Sequence, residues 1–251
     1  MTPSVEEKML LARIEDAVNL CERQNCIKAV GFLTPADAGF VKRHMPKSMV
    51  KTCFFGGYPD AERVLFAALP DYLEEDDAAE LLSVIEITGR DIGELKHPDF
   101  LGSLLGLGIK REKLGDILCF EDRCIVFAAA DIADFIISNL DKVGRCGVKV
   151  SLIEPKNLII PKRKFEEICT TVASLRLDAV IGAALKTSRG TAVELIRSKR
   201  VAVNWQEAED VALKLKVGDV FSVRGKGRFR LTDEIRETRK GRLGICIEKY
   251  I

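Results

Sequence analysis

The feature that most constrains this chain is the separation of its charges into an acidic first part and a basic last part. Residues 1–155 carry 18 Lys and Arg against 26 Asp and Glu, a net charge of −8, and residues 156–251 carry 21 against 12, a net charge of +9. The overall charge of +1 hides this division. The pattern predicts a polyanion partner for the basic end alone.

The length of 251 residues and the 47% content of apolar residues predict a globular chain with two or three domains. Residues 1–18 mix acidic and apolar positions, so they lack the basic start and the continuous apolar core of a secretory signal. No apolar run approaches the roughly 20 residues that a membrane helix needs. We therefore expect a soluble, cytoplasmic protein that has no membrane partner and is a monomer in solution.

The eight cysteines are expected to stay reduced, because a disulfide framework is typical of short secreted chains. Two pairs, Cys21/Cys26 and Cys119/Cys124, share a C-x4-C spacing, but no C-x2-C and no nearby His cluster completes a zinc set. We therefore predict no metal and no cofactor.

The first unit is predicted to be a small α/β domain over residues 1–75. Apolar residues recur at helical spacing from Ser4 to about Arg23, which predicts an amphipathic helix. Two short β-like runs and two further helices are expected after it. These elements are strands at Lys28–Leu33 and Met49–Phe55, a helix after Pro35 and a helix at Pro59–Leu69.

Residues 76–156 are predicted to form a second domain with the element order β-α-β-β-α-β. That order is the ferredoxin-like arrangement, which RNA-recognition motifs share. The aromatic-rich strand signature of those motifs is absent, so the order alone is a weak argument for RNA contact. The predicted fold class is therefore α+β and multidomain.

A proline-bracketed basic segment, Pro155–Lys164, is predicted to connect the acidic body to the basic end, and it overlaps a basic linker predicted over residues 157–173. The remainder is divided into a basic module over residues 174–233 and a C-terminal tail with one short strand over residues 234–251.

The basic module is predicted to contain two helices packed on a small sheet. Ser188 is a good N-cap for the second helix, and the free N–H groups at a helix start favour phosphate oxygens. Between Ser174 and Leu231 the chain has 12 Lys and Arg against 6 Asp and Glu. Apolar residues mark the first helix at i, i+3, i+4, i+7 and i+8: Leu177, Val180, Ile181, Ala184 and Leu185.

Clustered cations predict RNA contact here, although a solvated charge is the usual role of an isolated surface Lys or Arg. Asp178 is interpreted as a structural partner for a nearby arginine. The predicted RNA-binding residues lie around the two helices, in the β-like run after them and in the loop of a strand pair: Arg176, Lys186, Ser188, Arg189, Thr191, Arg197, Lys199, Arg200, Asn204, Arg224, Lys226 and Arg228.

The same region resembles the S4-like RNA-binding domain. Four spaced motifs carry the resemblance: Arg176-Leu177-Asp178, Ser188 to Ile196, Val201 to Asn204 and Val217 to Val223. Two positions depart from the usual pattern of that domain. Arg200 stands where a glycine is common, and Trp205 follows Asn204 where a glycine usually does.

Nearly the whole chain resembles the bacterial YlmH-type proteins, whose relatives in photosynthetic lineages are called photosystem II S4-domain proteins. The resemblance implies a non-enzymatic RNA-binding protein on the large ribosomal subunit, with rRNA or tRNA as partner and a role in quality control of stalled peptidyl-tRNA complexes. It is carried by GFLTPAD at Gly31–Asp37, FFGGYPDAER at Phe54–Arg63, HPDFLGSLLGLGIKREKLGDIL at His97–Leu118, and NWQ followed by SVRGKGRF in the basic end.

Two alternatives stay open on the sequence. The first is an RNA-modifying enzyme, or its accessory RNA-binding subunit, because the same module is appended to pseudouridine synthases. Asp116 is the one upstream acid in a motif-like setting, but a nucleophilic aspartate needs a defined pocket, and a turn residue is the simpler interpretation. The second alternative is a scaffold whose acidic body binds a protein.

Overall fold

The computed structural model describes residues 3–46, 50–154, 158, 160, 165–237 and 241–250. These residues form two compact units, which comprise residues 1–159 and residues 160–251. The predicted mixed α+β class is confirmed, with three antiparallel sheets in the described part of the chain. Within the same residues, the helices are all too short or too polar to span a membrane.

The first unit begins with two helices packed on a three-stranded antiparallel sheet, whose strand order is β1-β3-β2. Each helix starts at a capping box, in which a hydroxyl and a carboxylate three residues later exchange bonds with the backbone. The elements are α1 (Val5–Gln24), β1 (Lys28–Leu33), α2 (Pro35–His44), β2 (Lys51–Phe55) and β3 (Val64–Leu69).

The helix expected at Pro59–Leu69 is wrong, because its second half is strand β3. This strand is central in its sheet, and Leu65 to Leu69 are all buried. A short run that is apolar at every position has no alternation, so its periodicity does not separate a buried strand from a buried helix. The turn before it holds Gly57 at φ +90°, where a Cβ would lie 2.6 Å from the Phe127 ring.

The same unit continues with a five-stranded antiparallel sheet, whose strand order is β5-β6-β4-β8-β7. Its main elements follow the predicted β-α-β-β-α-β order, with the two-residue strand β7 added before the last strand, and two helices pack against its core. They are β4 (Leu82–Gly89), α3 (His97–Gly106), β5 (Leu114–Cys119), β6 (Arg123–Ala129), α4 (Ala133–Asn139), β7 (Lys142–Val143) and β8 (Cys146–Ile153). Short 3-10 helices occur at Glu75–Leu81, Ile92–Glu94, Arg111–Lys113 and Ala130–Ile132.

Asp116 on β5 ties the turn after β2 to the larger sheet. Its carboxylate accepts hydrogen bonds from the Tyr58 hydroxyl at 2.7 Å and from the backbone N–H groups of Glu62 and Arg63 at 2.7 and 3.1 Å. The Arg63 guanidinium in turn donates to the carbonyl oxygens of Leu114 and, at 2.7 Å, of Phe32. These bonds join two motifs that are far apart in the sequence, Phe54–Arg63 and His97–Leu118.

The second unit is a six-stranded antiparallel sheet with two helices on one face, and its strand order is β11-β10-β12-β13-β14-β9. Helices α5 and α6 bury their apolar stripes against the inward side chains of the sheet, among them the stacked rings of Phe221 and Phe229. The elements are β9 (Phe165–Val172), α5 (Leu177–Ala184), α6 (Arg189–Arg197), β10 (Val201–Val203), β11 (Gln206–Glu207), β12 (Val220–Val223), β13 (Gly227–Glu237) and β14 (Leu243–Tyr250).

The structure differs from the predicted linker and tail. Residues Phe165–Val172, expected as linker, form strand β9, which pairs along its whole length with β14. The tail is not one short strand, because β13 extends to Glu237 and β14 comprises eight residues. Of the remaining predicted linker, residues 157, 159 and 161–164 lie outside the described residues.

The expectation that all cysteines are reduced is wrong for one pair. Cys169 and Cys246 face each other in the β9–β14 register and form a disulfide. The other six cysteines are free thiols. Within the described ranges, the one group of at least three potential metal ligands is Glu167 with these two cysteines, whose sulfurs are already bonded to each other.

We predict that Asp116→Ala lowers the free energy of unfolding by about 2 kcal/mol, because it leaves two half-buried backbone N–H groups without their acceptor. Urea denaturation of the full chain measures this. Asp122→Ala is the matched control, since its side chain is 78% exposed and should cost less than about 0.5 kcal/mol. Equal midpoints for the two variants would contradict the assigned role of Asp116.

Candidate nucleic-acid interface

A buried carboxylate organises the starts of both helices in the second unit. Asp178 is 2% exposed and lies in the first turn of α5. Arg176 donates to it through Nε at 3.2 Å and Nη2 at 3.1 Å, and Arg189 donates through Nε at 2.9 Å and Nη2 at 2.8 Å. The interpretation of Asp178 as a structural partner of an arginine therefore agrees with its contacts.

The electrostatics of this cluster leave a net positive charge at the surface. Burial alone would raise the pKa of Asp178, but the hydrogen bonds from Arg176 and Arg189 outweigh burial and lower it. The carboxylate is therefore ionised at neutral pH and balances one of the two arginines. The Arg189 side chain is still 63% exposed, so its outer face is accessible to an anion.

Ser188 and Thr191 form the start of α6. Ser188 is the N-cap, and its Oγ accepts the backbone N–H of Thr191 at 3.1 Å. The two hydroxyls are 2.9 Å apart and hydrogen bonded to each other. Both side chains thus stabilise the helix start, while the first backbone N–H groups of α6 have no partner inside the helix.

Lys186 and Lys199 occupy the left-handed backbone positions that end α5 and α6, with φ of 50° and 57°. In both places two backbone bonds close a Schellman motif, in which Thr187 N–H reaches Gly182 O and Arg200 N–H reaches Leu195 O. Glycine is the usual residue at such a position. Each lysine is therefore placed on an exposed helix end.

Lys199 is occupied by acidic side chains from the following segment. Its Nζ lies 2.9 Å from a Glu207 oxygen and 3.5 Å from a Glu209 oxygen. The hydrogen bond that Lys199 donates to Glu207 is the largest cause of a raised pKa for Lys199. Lys199, which was predicted to contact RNA, therefore forms ion pairs within the protein that the sequence pattern did not reveal.

Asn204 is a turn residue with φ of 47°. Its Nδ2 donates to Asp219 at 2.8 Å, and its Oδ1 accepts the Val220 N–H at 3.0 Å. The Asn204 side chain therefore joins the β10–β11 turn to the start of β12. Local backbone geometry accounts for an asparagine here without any contact to RNA.

A second group of cations lies at the other end of α6, and we name Arg197, Arg200, Arg224 and Lys226 the hairpin cluster. The β12–β13 turn is held beside the end of α6 by Arg200, whose Nη2 donates to Arg224 O at 3.0 Å and whose carbonyl accepts the Arg224 N–H at 2.8 Å. Arg197, Arg224 and Lys226 are exposed and, within the described part of the chain, have no acidic partner.

Arg228 belongs to the outer side of β13 and contacts two aromatic rings. Its Cζ lies 5.7 Å from the ring centroids of both Trp205 and Tyr250. The sequence pattern did not single out these aromatic residues as functional. The only signal for them was the tryptophan after Asn204, where glycine is usual.

The first unit contains a smaller polar cluster around Asp116. Burial is the main cause that lowers the pKa of Arg111 to about 10, with a further contribution from neighbouring Arg63. Burial and then Arg111 also lower the pKa of His97. Both oxygens of Asp116 are used in the hydrogen bonds to the turn after β2, so this carboxylate positions backbone.

Comparison with known proteins agrees with this architecture. Residues 77–157 match the family model described as "Putative RNA-binding domain in YlmH", and residues 175–221 match the S4 domain. The chain is 30% identical over 245 residues to the ribosome-associated protein quality control protein P2 of Bacillus subtilis, which covers 97% of this chain and 95% of that protein. The solved structure of the cell division protein ylmH from Streptococcus pneumoniae matches 64% of this chain and 98% of that chain, with a TM-score of 0.54 and 20% identity, and shares its fold.

The helix pair, the sheet and the clustered arginines of the second unit define a protein with an S4 domain. The chain belongs to the YlmH family. The family membership predicted from the sequence motifs is therefore confirmed.

We predict that Asp178→Asn lowers the free energy of unfolding at pH 7 by about 2 kcal/mol, because charged hydrogen bonds of both arginines are weakened. The folded-state pKa of Asp178 is lowered, so its contribution is present above the ordinary pKa of about 3.9 and is lost as pH falls below it. The difference between native protein and variant should therefore shrink below pH of about 4.

Chemical denaturation at pH 7 and pH 3 measures that difference, and Asp233→Asn, an exposed aspartate on β13, is the control. A cost that is equal at both pH values would show that the ion pairs with Asp178 are not its source.

Proposed function

We propose that this protein is a non-enzymatic RNA-binding protein that binds structured rRNA or tRNA through its S4 domain. The main support is a group of exposed cations that have no acidic partner among the described residues: Arg197, Arg224 and Lys226. They lie at the end of α6, whereas the Asp178 cluster lies at its start. RNA phosphates are the natural counter-charge for such a set.

This surface is better suited to recognise the shape of a structured RNA than to read a base sequence. The hairpin cluster is held by backbone bonds between Arg200 and Arg224, so the spacing of its charges is fixed before RNA binds. Fixed charges select a matching arrangement of phosphates, whereas sequence readout requires contacts to base edges. A bent or junctional RNA presents phosphates from more than one strand to such a cluster.

The proposed setting is the large ribosomal subunit, in quality control of stalled peptidyl-tRNA complexes. The similarity that supports this role extends over nearly the full length of a protein named for ribosome-associated quality control. In this setting the protein is cytoplasmic and acts as a monomer.

For residues 76–156 we propose a ferredoxin-like domain related to RNA-recognition motifs. The support is the order of its four main strands: the first strand β4 lies between the third, β6, and the fourth, β8, and the second, β5, is at an edge. Residues 77–157 also match the RNA-binding model of the family. We place the first domain at residues 1–75 and the S4 domain from residue 174 onward, with β9 and β14 added to its sheet.

The alternative of an RNA-modifying enzyme depended on Asp116 as a nucleophile. Both of its oxygens accept hydrogen bonds from the turn after β2, and the Tyr58 hydroxyl lies 2.7 Å away. Three hydrogen bonds stabilise the charge of this carboxylate and hold it against the turn, so they make it a weaker nucleophile and assign it a structural role. We therefore favour a binding function without catalysis.

Salt titration tests the proposed phosphate contacts. With a labelled tRNA and the full chain, we predict that affinity falls by roughly 10³ to 10⁵ between 50 and 200 mM salt if 6 to 10 phosphates are contacted. Each of Arg197→Ala, Arg224→Ala and Lys226→Ala should reduce the slope of log K against log salt by about 1.

Lys199→Ala is the matched control, because it removes an equal charge whose partners are Glu207 and Glu209. It should change the slope by less than the other three variants. A slope that is flat for the native protein would overturn the proposal, and an equal effect of all four variants would overturn the assignment of its contacts.

A further inference from the structure

The sheet of the second unit has an outer face that the two helices do not cover. Alternation along β13 points Phe229 and Leu231 into the core and Arg228 and Arg230 to the opposite side. The register continues this outer face onto the neighbouring strands, because Arg230 is opposite Glu248 and Tyr250 is opposite Phe165.

Three aromatic rings and two arginines lie side by side on this outer face. From Trp205 the row continues to Arg228 and Tyr250, with 5.7 Å between the Arg228 Cζ and each ring centroid. Tyr250 meets Phe165 edge to face at 5.1 Å, and the Arg230 Cζ lies 5.2 Å from the Phe165 centroid. We name these five residues the stacking row.

Trp205 stands at a backbone position that disfavours it. It has φ of 63° and follows Asn204, at 47°, in the two-residue turn between β10 and β11. Two consecutive left-handed residues are typical of a type I′ turn, where glycine is preferred. A bulky residue at such a position is strained, and 39% of the Trp205 surface stays exposed beside the Arg228 guanidinium. An exposed indole held in this way is available to a ligand.

We propose that the stacking row binds unpaired bases of single-stranded RNA, with Trp205 as the principal stacking residue. Aromatic side chains interleaved with arginine are the groups on which bases stack without sequence preference. Arg228 is two residues from Lys226, so phosphates can lie on the hairpin cluster while the bases lie on the row. The inference rests on the proposed RNA-binding function and adds a second kind of contact to it.

The charges on this face also orient the strand. Glu248 accepts two hydrogen bonds from Arg230, and Glu167 is its neighbour in the β9–β14 register. These acids lie on the β9 side, whereas Arg224 and Lys226 lie at the β12–β13 turn. The RNA backbone should therefore follow the hairpin side of the face, with its bases directed toward Trp205 and Tyr250.

Trp205 is the only tryptophan of the chain, so fluorescence excited selectively at tryptophan reports on this face alone. The full-length protein is titrated with an oligoadenylate RNA of eight nucleotides and, separately, with a blunt RNA duplex of eight base pairs, whose larger charge favours binding through phosphates. We expect quenching by the single strand and little change with the duplex. Equal responses to both, or none to the single strand, would overturn the inference.

Substitution at Trp205 separates stacking from charge and from folding. Trp205→Gly should weaken binding of labelled oligoadenylate by roughly 5- to 150-fold, the contribution of one stacked base, while thermal unfolding shows that the variant is folded at the binding temperature. The salt slope should stay unchanged. Trp205→Phe should retain most of the affinity, and Phe135→Leu, which alters a 47% exposed aromatic ring in the first unit, is the control.

The outcomes distinguish this inference from the proposed function. If folded Trp205→Gly binds oligoadenylate as the native protein does, the stacking row is not a base-binding surface, even when tRNA binding depends on Arg197. If the native protein binds neither RNA, the proposed function itself fails. Capture of a protein at this face that oligoadenylate does not displace would also overturn the inference.

Discussion

The geometry of the S4 domain depends on one buried carboxylate. Asp178 accepts both arginines that flank the starts of α5 and α6, and an ionised group at 2% exposure is tolerable only because four donor atoms surround it. These bonds connect the start of α5 to the start of α6. The position of α6 in turn determines where the hairpin cluster lies, because that cluster is at the other end of the same helix.

This arrangement divides the basic residues of the S4 domain into two groups with different roles. Four of them form ion pairs with carboxylates of the same unit, and these pairs partly neutralise their charge: Arg176, Arg189, Lys199 and Arg230. Arg197, Arg224 and Lys226 meet none among the described residues. We therefore expect fewer phosphate contacts than the excess of positive charge in the composition suggests.

Local signals predicted the helical part of the S4 domain correctly. The apolar spacing of α5, the Ser188 N-cap and the motif series are all properties of neighbouring residues, and they sufficed for the fold class and the family. Strand β9 was missed because its partner, β14, lies far along the chain, and their pairing leaves no local mark. The strand Val64–Leu69 was missed because uniform burial removes the alternation that identifies a strand.

The contacts of the site residues were also not predictable from local sequence patterns. Clustering of arginine and lysine predicts an interface in the S4 domain, but only the structure reveals that Glu207 and Glu209 bind Lys199, or that the Asn204 side chain closes its own turn. Ion pairs between residues eight and ten positions apart depend on how a loop folds back. Conversely, Trp205 was visible as an exception to a motif, and its contacts with Arg228 gave that exception a physical meaning.

Co-sedimentation with purified large ribosomal subunits directly tests the proposal that Arg197, Arg224 and Lys226, which lack acidic partners among the described residues, bind ribosomal RNA. The native chain is compared with a triple Ala variant of Arg197, Arg224 and Lys226, and with a control that loses three exposed cations of the first unit, Lys8, Arg23 and Arg43. We expect the native protein and the control to sediment with the subunit and the triple variant to stay at the top of the gradient. A folded triple variant that sediments like the native protein would contradict it.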